Sequence, residues 1–372
     1  MKKIMIVLPS LCGGGAERVT LNIANNLNID KFNVTIVSCT GKNEYKGFVN
    51  ENLNIVNLNK KKVSECIFDL KSLIKSKQPD IVLCVMEHMY LVTLISKILS
   101  KVKCKIILAT HNNYSSSIIN STNKLKTSLL DCIFKILKPY KYCDKILFVS
   151  KGSYKDFKNI FNIDNNKCKV IYNPVIFDSI ESLKDDNVNL DEKFRYILSV
   201  GRLTKQKDHK TLIKSIDYIV NNLNIKNIRL IIVGKGELEE ELKRQCEELN
   251  LNQYILFWGF ENNPFKLMNK CDIFVLSSIY EGLPTVLIEA MNCGAIAIST
   301  DCPSGPNEII DDGVNGYLVN VGDYIGIANK IVEVLNQESS INSRMRNLAI
   351  LKSKDFHVRL ITKEYEELFM EL

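Results

Sequence analysis

Continuous apolar runs and segments of helical periodicity alternate along this chain, beginning with the run KIMIVL at residues 3–8. Short continuous apolar runs predict buried strands of a parallel sheet, whereas apolar residues every three or four positions predict amphipathic helices. Strands are predicted in the first half at residues 3–8, 34–39, 81–86, 105–109, 145–149 and 170–172. Because strand–helix alternation builds a parallel sheet, we expect ligands to bind at the carboxyl ends of these strands.

The alternation is interrupted once and then restarts. Asn173-Pro174 breaks the pattern, and residues 178–193 are polar, charged and aperiodic, which is typical of a linker. Further strands are predicted at residues 196–200, 229–233, 255–258 and 273–277, with helices at 209–219 and 237–249. At 372 residues the chain is too long for one ordinary core. We therefore expect two α/β domains.

Two glutamates flank a Gly-Leu-Pro break in the segment EGLPTVLIEAMNCG. Glu281 precedes the break, and Glu289 lies about a turn and a half into a helix that begins near Pro284. An ionised carboxylate only accepts hydrogen bonds, so a ligand with paired hydroxyls, such as a sugar or a ribose, suits the pair. The alternative is one capping carboxylate and one carboxylate on a solvated helix face.

A candidate phosphate site follows the predicted strand at residues 196–200. Gly201 and Arg202 come directly after the strand. Lys207 lies five residues after Arg202, just before the predicted helix at residues 209–219. Ion pairs with phosphate contribute about 1.5–3 kcal/mol each, more than neutral hydrogen bonds. The glycine, the two cations and the helix start together predict a diphosphate site.

A glycine-rich loop, residues 13–15, opens the first predicted helix. Glycines let a ligand approach the backbone closely, and the unpaired N–H groups of a helix start favour anions. A dinucleotide fingerprint would require glycine where Arg18 stands, and the strand at residues 34–39 lacks the acidic residue that would hold a ribose. NAD binding is therefore disfavoured, and a tight turn without a ligand is the alternative.

Two histidines lie at carboxyl ends of predicted strands. His88 follows the strand at residues 81–86, and His111 follows the strand at residues 105–109. Both positions are suited to ligand contact in a parallel sheet. A solvated loop histidine is the alternative for each.

Composition narrows the class of protein. Hydrophobic residues make up 46% and charged residues 24% of the chain, as in globular proteins, and no apolar run is long enough to span a bilayer. The first residues imitate a signal peptide ending at Cys12, but Leu11 stands where a small residue is required, so we expect a cytoplasmic protein. The 12 cysteines lack metal-site spacing and no Asp-x-Asp motif is present, so we expect neither disulfides nor a metal.

The net charge of +7 is unevenly distributed. Residues 1–172 contain 27 basic and 12 acidic residues, a balance of +15, and the remainder contains 22 basic and 30 acidic residues, a balance of −8. Nucleic acid, a membrane surface and a phosphorylated acceptor are the candidate anionic partners. Lysine-rich amphipathic helices predicted at residues 60–77 and 124–142 favour an anionic membrane. Ordinary surface helices packed on their own sheet are the alternative.

The segment EGLPTVLIEAMNCG resembles the Glu-x7-Glu segment of the retaining glycosyltransferases of family 4. GGGAER, THNN, GRLTKQK and GKG match the same family, so the resemblance covers nearly the whole chain. It implies the GT-B fold, in which two Rossmann-like, doubly wound parallel-sheet domains face a central cleft. The implied domains are residues 1–175, completed by a C-terminal helix at 355–372, and the nucleotide-sugar-binding residues 194–354, with a linker at 176–193.

The resemblance also implies roles for individual residues. Arg202 and Lys207 hold the diphosphate in place of a metal, Glu289 holds the ribose, and Glu281 and His111 approach the transferred sugar. The other implied donor contacts are Gly14, Gly15, Gly234, Gly236, Leu283, Pro284 and Thr285. The expected acceptor and phosphate contacts are Glu17, Arg18, His88, Lys71 and Lys75.

The segment CPSGPNEI, residues 302–309, resembles a subgroup that transfers galactose-type sugars onto bacterial lipid-linked glycans or surface polysaccharides. It implies a retaining, metal-independent hexosyltransferase that uses a UDP-sugar, with UDP-GalNAc as the first candidate, and acts at the inner face of the cell membrane. The alternatives are a GT-B nucleotide-sugar epimerase and a non-catalytic glycolipid-binding or scaffold protein. Nucleic acid is not an expected partner, because the basic residues lack interleaved aromatics. The sugar, the acceptor and the linkage are left open.

Overall fold

The computed structural model describes residues 1–11, 14–40, 49–50, 53–120, 132 and 134–372. The chain divides into two compact units, one made of Met1–Val175 with Val358–Leu372 and the other of Ile176–His357. Each unit contains one parallel β-sheet. Within the described residues, no helix is long and apolar enough to cross a membrane.

The first unit is built on a seven-stranded sheet. Its strands are β1 (Lys2–Leu8), β2 (Phe32–Ser38), β3 (Asn54–Asn57), β4 (Ile81–Val85), β5 (Lys105–Thr110), β6 (Lys145–Phe148) and β7 (Cys168–Val170). The order across the sheet is β3-β2-β1-β4-β5-β6-β7, and every pairing is parallel. The α-helices of this unit whose full extent lies within the described residues are Gly15–Asn26, Ile67–Lys77, Tyr90–Ser100, Tyr114–Ile119, Lys151–Ile160 and Val358–Glu371.

Alternate side chains of β1 enter two separate cores. Met5 and Val7 belong to one hydrophobic cluster, whereas Ile4 and Ile6 belong to the other. A strand whose side chains are buried on both faces must be apolar throughout, which explains the continuous apolar run at the start of the chain.

The C-terminal helix, Val358–Glu371, completes the second of these cores. Tyr365 and Phe369 are buried in it, and the ring of Phe369 lies 6.0 Å from that of Phe32 on β2. Lys2 Nζ also donates to the Phe369 carbonyl at 2.9 Å. The last residues of the chain therefore stabilise the unit that contains the first residues.

The second unit is built on a six-stranded parallel sheet. Its strands are β8 (Arg195–Val200), β9 (Ile228–Val233), β10 (Ile255–Gly259), β11 (Ile273–Leu276), β12 (Ile296–Thr300) and β13 (Tyr317–Val319), in the order β10-β9-β8-β11-β12-β13. Its α-helices are Ile180–Leu183, His209–Asp217, Glu239–Glu248, Phe265–Lys270, Thr285–Asn292, Pro306–Ile309, Tyr324–Asn336 and Ser339–Ser353.

Residues 176–193, which the sequence suggested as a linker, are counted in the second unit. They include the helix Ile180–Leu183, and Asn263 Nδ2 donates to the Leu183 carbonyl at 2.8 Å. Asn269 Nδ2 likewise donates to the Lys184 carbonyl at 3.1 Å. These side-chain amides hold the segment against the second unit, which composition alone did not indicate.

The predicted helix over residues 124–142 is wrong at its C-terminal end. Residues 121–131 and 133, including Lys124 and Lys126, lie outside the described residues. Helical backbone at residues 134–137 is followed by Lys138 in the left-handed conformation, with φ of 45°, and by the 3₁₀ turn Pro139–Tyr142. Pro139 cannot donate an N–H to a continuing helix, so the lysine stripe of this segment is not one helix face.

Candidate functional site

The strand order brings the two predicted donor-binding loops together. In the second unit β8 pairs with β9 on one side and with β11 on the other. The strand order reverses at β8, and ligands of open α/β sheets bind at such switch points beyond the carboxyl ends of the strands. The loop after β8 carries Arg202 and Lys207, and the loop after β11 carries Glu281.

Lys207 and Glu281 form an ion pair between these two loops. Lys207 Nζ lies 2.6 Å from Glu281 Oε1, and the side chains are only 15% and 8% exposed. Ser278 Oγ donates to the same carboxylate oxygen at 2.6 Å. The carboxylate is thus held by a cation and a hydroxyl of the same unit.

Hydrogen bonds to backbone carbonyls fix the spacing between the loops. Ile279 N–H donates to the Gln206 carbonyl at 2.8 Å, and Gln206 Nε2 donates to the Tyr280 carbonyl at 2.9 Å. Ser277 Oγ donates to the Lys207 carbonyl at 2.9 Å. Such bonds limit how far Lys207 and Glu281 can separate, so the pair is preorganised.

Arg202 is exposed at the start of the same loop, and its positive charge acts on the Tyr280 hydroxyl. Burial and the charge of Glu281 raise the pKa of Tyr280, and the charge of Arg202 partly offsets that rise. The exposed side chain of Arg202 is accessible to an anionic ligand.

Gly234 and Gly236 have a packing role that the sequence did not predict. Gly234 has φ of +138°, and a Cβ at that position would overlap the Gly201 carbonyl oxygen. A Cβ on Gly236 would overlap the Leu203 carbonyl oxygen. The loops after β8 and β9 therefore approach each other backbone to backbone, and Leu203 N–H donates to the Lys235 carbonyl at 3.0 Å. Contact of the two glycines with a nucleotide base stays a prediction.

The CPSGP segment supports the glutamate loop. Ser304 Oγ donates to the backbone carbonyl of Glu281 at 2.8 Å. Gly305 has φ of +98°, and a Cβ there would lie 2.6 Å from Pro284 Cδ and 2.9 Å from the Gly282 carbonyl oxygen. The serine and glycine therefore shape the turn that contains Leu283 and Pro284, where the sequence had suggested only a substrate preference.

Glu289 is buried in the helix Thr285–Asn292, which begins directly after Pro284. Leu283 is also buried, whereas Thr285 is half-buried at the helix start. The helix thus carries a buried carboxylate with apolar neighbours on both sides in sequence. A solvated helix face, the alternative for Glu289, does not describe this position.

His209 is a buried neighbour of Lys207 that the sequence analysis missed. Burial, followed by the charge of Lys207, lowers its pKa to about 3, so the imidazole is neutral at pH 7. Its Nδ1 is buried without a hydrogen-bond partner among the described residues. The sequence did contain one signal for His209, because this histidine is the first residue of the helix that follows the candidate phosphate loop.

In the first unit the glycine loop is only partly described, because Gly13 lies outside the described residues. Gly14 precedes the helix Gly15–Asn26, and a Cβ on Gly14 would overlap the carboxylate of the buried Glu17. Ser10 Oγ donates to Glu17 Oε1 at 3.5 Å. A carboxylate therefore lies against this helix start, where it is stabilised by the helix dipole.

His111 follows β5 directly and is half-buried. Burial lowers its pKa to about 4, so its imidazole is neutral at pH 7 and can both donate and accept a hydrogen bond. His88 lies on the exposed side of the 3₁₀ turn Glu87–Met89 after β4. Because β4 and β5 are neighbours in the sheet, the two histidines follow adjacent strand ends.

Lys71 and Lys75 lie on the helix Ile67–Lys77, where Lys71 is half-buried and Lys75 is exposed. The apolar stripe of this helix, Leu70 and Ile74, is buried in the first unit. These lysines are thus available to a ligand, but they belong to a helix that packs on its own sheet.

Sequence profiles of two families match the chain. The profile described as Glycosyltransferase Family 4 matches residues 13–178, and the profile described as Glycosyl transferases group 1 matches residues 181–350. Together they leave only short segments unmatched.

Two full-length relatives come from Campylobacter jejuni. N-acetylgalactosamine-N,N'-diacetylbacillosaminyl-diphospho-undecaprenol 4-alpha-N-acetylgalactosaminyltransferase is 29% identical over 96% of this chain and 96% of its own. GalNAc-alpha-(1->4)-GalNAc-alpha-(1->3)-diNAcBac-PP-undecaprenol alpha-1,4-N-acetyl-D-galactosaminyltransferase is 27% identical over 100% of this chain and 99% of its own.

Two solved structures share the fold. Anabaena Alr3699/HepE in complex with UDP and glucose superposes with a TM-score of 0.80 at 19% identity, covering 100% of both chains. Sucrose-phosphate synthase from Thermosynechococcus elongatus superposes with a TM-score of 0.81 at 13% identity, covering 100% of this chain and 99% of its own.

Proposed function

The chain belongs to glycosyltransferase family 4 and has the GT-B fold, and from this membership we propose that it transfers N-acetylgalactosamine from UDP-GalNAc to a lipid-linked or polysaccharide acceptor. Transfer proceeds with retention of configuration at the anomeric carbon and without a metal. The reaction takes place at the cytoplasmic face of the membrane, with the protein bound peripherally. Its substrates are thus a UDP-sugar and a saccharide acceptor, and nucleic acid is not one of its partners.

One observation carries the donor assignment, namely the buried Lys207–Glu281 pair between the ends of β8 and β11. A cation and a carboxylate at one switch point match the two halves of a nucleotide sugar, since the diphosphate needs positive charge and the sugar offers hydroxyl donors. Arg202 adds a second, exposed cation on the same loop. An ion pair with only a structural role would not need to lie at the point where the strand order reverses, beyond the ends of β8 and β11.

During transfer, the bond between the anomeric carbon and the diphosphate breaks as the acceptor oxygen bonds to that carbon. Arg202 and Lys207 stabilise the negative charge that develops on the departing diphosphate, and the acceptor proton leaves on that diphosphate. Glu281 accepts hydrogen bonds from the sugar, and Glu289 from the ribose. His111, neutral at pH 7, hydrogen-bonds the transferred sugar.

The choice of sugar and acceptor rests on the relatives. Both Campylobacter jejuni enzymes are named as N-acetylgalactosaminyltransferases that act on undecaprenol-diphosphate-linked saccharides, and each matches this chain along its full length. The basic first half, with a balance of +15, suits an acceptor that carries a diphosphate in an anionic membrane.

A surface of the first unit supports membrane binding. We call it the α2–α3 surface, and it consists of exposed and half-buried residues on the packed helices Ile67–Lys77 and Tyr90–Ser100 and of Lys101 directly after the second helix. Its apolar side chains are Phe68, Ile95, Ile98 and Leu99, and its neighbouring lysines are Lys71, Lys75, Lys97 and Lys101. Phe68 is 70% exposed and Ile98 is 65% exposed. Exposed apolar side chains and lysines on the same two helices match the boundary between lipid headgroups and acyl chains.

The test is a panel of UDP- and GDP-sugars in EDTA, scored for transfer to undecaprenol-linked saccharides and for donor hydrolysis. Wild type is compared with Glu281→Gln and Arg202→Ala. Lys205→Ala removes an exposed cation from the same loop and serves as the matched control for Arg202→Ala. We expect turnover of UDP-GalNAc that is lost in the first two variants and retained in the control.

Other outcomes lead to other conclusions. Interconversion of two UDP-sugars without an acceptor would identify an epimerase. No turnover of any donor, combined with glycolipid binding, would identify a non-catalytic binding protein. Turnover that requires a divalent metal would contradict the assignment of the leaving-group charge to Arg202 and Lys207.

A further inference from the structure

Ser278 is a fully buried residue of the loop after β11, and its hydroxyl has no assigned role so far. Its Oγ donates to Glu281 Oε1 at 2.6 Å, a length typical of a charge-assisted bond from a hydroxyl to a carboxylate. Lys207 Nζ lies 2.6 Å from the same oxygen. The two donors differ in chemistry, because Lys207 carries a charge that a diphosphate attracts, whereas Ser278 is neutral.

The two oxygens of the Glu281 carboxylate are not equivalent. The hydrogen bonds that other described residues donate to this carboxylate, from Lys207 and Ser278, both go to Oε1. Oε2 therefore keeps its capacity to accept a hydrogen bond from a sugar hydroxyl. One oxygen anchors the side chain, and the other is available to a ligand.

Ser278 is itself fixed by the neighbouring strand. Thr300, the last residue of β12, is fully buried, and its Oγ1 donates to the Ser278 carbonyl at 2.6 Å. Ser304 Oγ donates to the backbone carbonyl of Glu281 at 2.8 Å. Because β11 and β12 are paired in parallel, these bonds hold the loop from the sheet and do not depend on Lys207.

We propose that Ser278 is a positioning residue for sugar transfer, and that its hydroxyl keeps the Glu281 carboxylate in place once Lys207 has turned to the diphosphate. The inference rests on the proposed function, which takes Lys207 as a diphosphate ligand and Glu281 as an acceptor of hydrogen bonds from the sugar. A carboxylate that has lost its cation rotates unless a directed donor still holds one oxygen, and Ser278 is that donor. Ser278 acts through Glu281 and is not assigned a contact with the substrate.

Crystal structures test this anchor without turnover. In wild type with UDP bound, Glu281 Oε1 should stay within hydrogen-bond distance of Ser278 Oγ while Lys207 Nζ contacts the diphosphate. Lys207→Met removes the cation altogether, and its ligand-free structure should keep the same bond from Ser278 to Glu281. A Glu281 carboxylate that leaves Ser278 in either structure would overturn the inference.

Ser278→Ala should separate sugar binding from nucleotide binding. We expect kcat/KM for UDP-GalNAc to fall about tenfold, because a hydrogen bond to a charged group is lost. The Kd for UDP should stay within about twofold, since UDP has no sugar to contact Glu281. A general disturbance of the loop would weaken UDP binding as well, because Ile279 and Gln206 tie this loop to the one that carries Lys207.

Two further variants supply the rescue and the matched control. Ser278→Cys keeps a weak donor of similar size and should recover part of the lost kcat/KM. Ser215→Ala removes another fully buried serine hydroxyl of the same unit, which donates to the Leu212 carbonyl at 2.6 Å, and should leave kcat/KM and UDP affinity unchanged. Equal losses in Ser278→Ala and Ser215→Ala would overturn the inference.

A double variant and the crystal structures separate this inference from the proposed function. In a Glu281→Ala background, Ser278→Ala should not change the Kd for UDP-GalNAc further, because a residue that acts only through Glu281 is not additive with its removal. A further loss of affinity there would overturn the inference. If Glu281 stays on Ser278 in both crystal structures and no donor is turned over, the anchor stands and the proposed function fails. If UDP-GalNAc is turned over and Ser278→Ala transfers the sugar as wild type does, the positioning role fails alone.

Discussion

Lys207 Nζ and Glu281 Oε1 are 2.6 Å apart across the loops that follow β8 and β11, and both side chains are largely buried. Removing two charges from water offsets most of their attraction, so a buried pair is weak evidence for a stabilising role. The proposed function gives the pair another role. In that proposal, an incoming diphosphate replaces the carboxylate as the partner of Lys207 and leaves Glu281 to accept hydrogen bonds from sugar hydroxyls.

Lys207→Met should impair both stability and donor binding. Removing one partner leaves the other charge buried, which costs about 3–5 kcal/mol of the free energy of unfolding. Urea denaturation measures that loss, and calorimetric titration with UDP should show binding at least tenfold weaker, since an ion pair with phosphate is lost.

The matched control is Lys266→Met. Lys266 Nζ lies 3.1 Å from Glu261 Oε2, and these side chains are 21% and 15% exposed. This variant should also lose stability but should bind UDP as wild type does. Equal UDP affinity in Lys207→Met and wild type would contradict the assigned role of Lys207.

Gly234→Ala should displace the phosphate loop. The new Cβ would overlap the Gly201 carbonyl and the backbone would be strained, which together cost about 1–3 kcal/mol or more. We expect a lower Tm and a higher Kd for UDP. Gly313→Ala is the control, because φ there is also positive, at +72°, but no described atom lies within 4 Å of the new Cβ. The strained backbone alone should cost roughly 1–2 kcal/mol of the free energy of unfolding. Gly313→Ala should therefore lower Tm but leave UDP binding intact.

Two histidines with lowered pKa values, His209 and His111, should make the protein less stable in acid. His209 has a pKa of about 3 and His111 of about 4 in the folded chain, below the ordinary value of 6.5. Between pH 6.5 and these folded pKa values, the unfolded chain binds more protons than the folded chain does. The free energy of unfolding therefore falls as the pH drops from 6.5 towards the folded pKa values.

Thermal unfolding from pH 7 to pH 4 measures this effect. His209→Gln removes one of the two groups, so its Tm should fall less steeply with acid than that of wild type. His357→Gln is the control, because His357 lies 3.2 Å from the exposed Asp178 and is neither of these two groups. A slope in His209→Gln equal to that of wild type would contradict the buried neutral state.

The α2–α3 surface should mediate membrane binding. Phe68→Ser with Ile98→Ser should reduce flotation with vesicles that contain anionic lipid, because two largely exposed apolar side chains would no longer enter the bilayer. Binding of wild type should weaken as salt rises, since each lysine near the surface contributes about 1 kcal/mol. Leu360→Ser replaces an exposed apolar residue on the C-terminal helix and should have no effect. Absence of binding at low salt would remove the membrane from the proposal.

Much of the fold could be predicted from local patterns. The strand predicted at residues 196–200 is Arg195–Val200, and the strand predicted at 229–233 is Ile228–Val233. Strands β3 and β13 were missed because they are short edge strands of four and three residues. β12 was missed because its apolar run continues almost directly from the apolar helix before it.

Several site residues could not be predicted because they act through hydrogen bonds to other residues of the site. Ser304 Oγ donates to the backbone carbonyl of Glu281, and Ser278 Oγ donates to the Glu281 carboxylate. A hydroxyl at a strand end was only a weak signal for Ser278. A hydrogen bond depends on distance and direction between two partners, and a sequence states neither for partners on different strands.

The sequence by itself determined which segments are strands and helices, because side-chain periodicity and turn residues act over a few neighbours. It also determined which chemical groups the phosphate loop and the glutamate segment carry. Only the tertiary structure decided that β8 lies beside β11, that Lys207 is paired with Glu281, and that His209 is buried with a lowered pKa. Burial and pairing arise from the packing of distant segments, and the loss of water that follows is what keeps the His209 imidazole neutral.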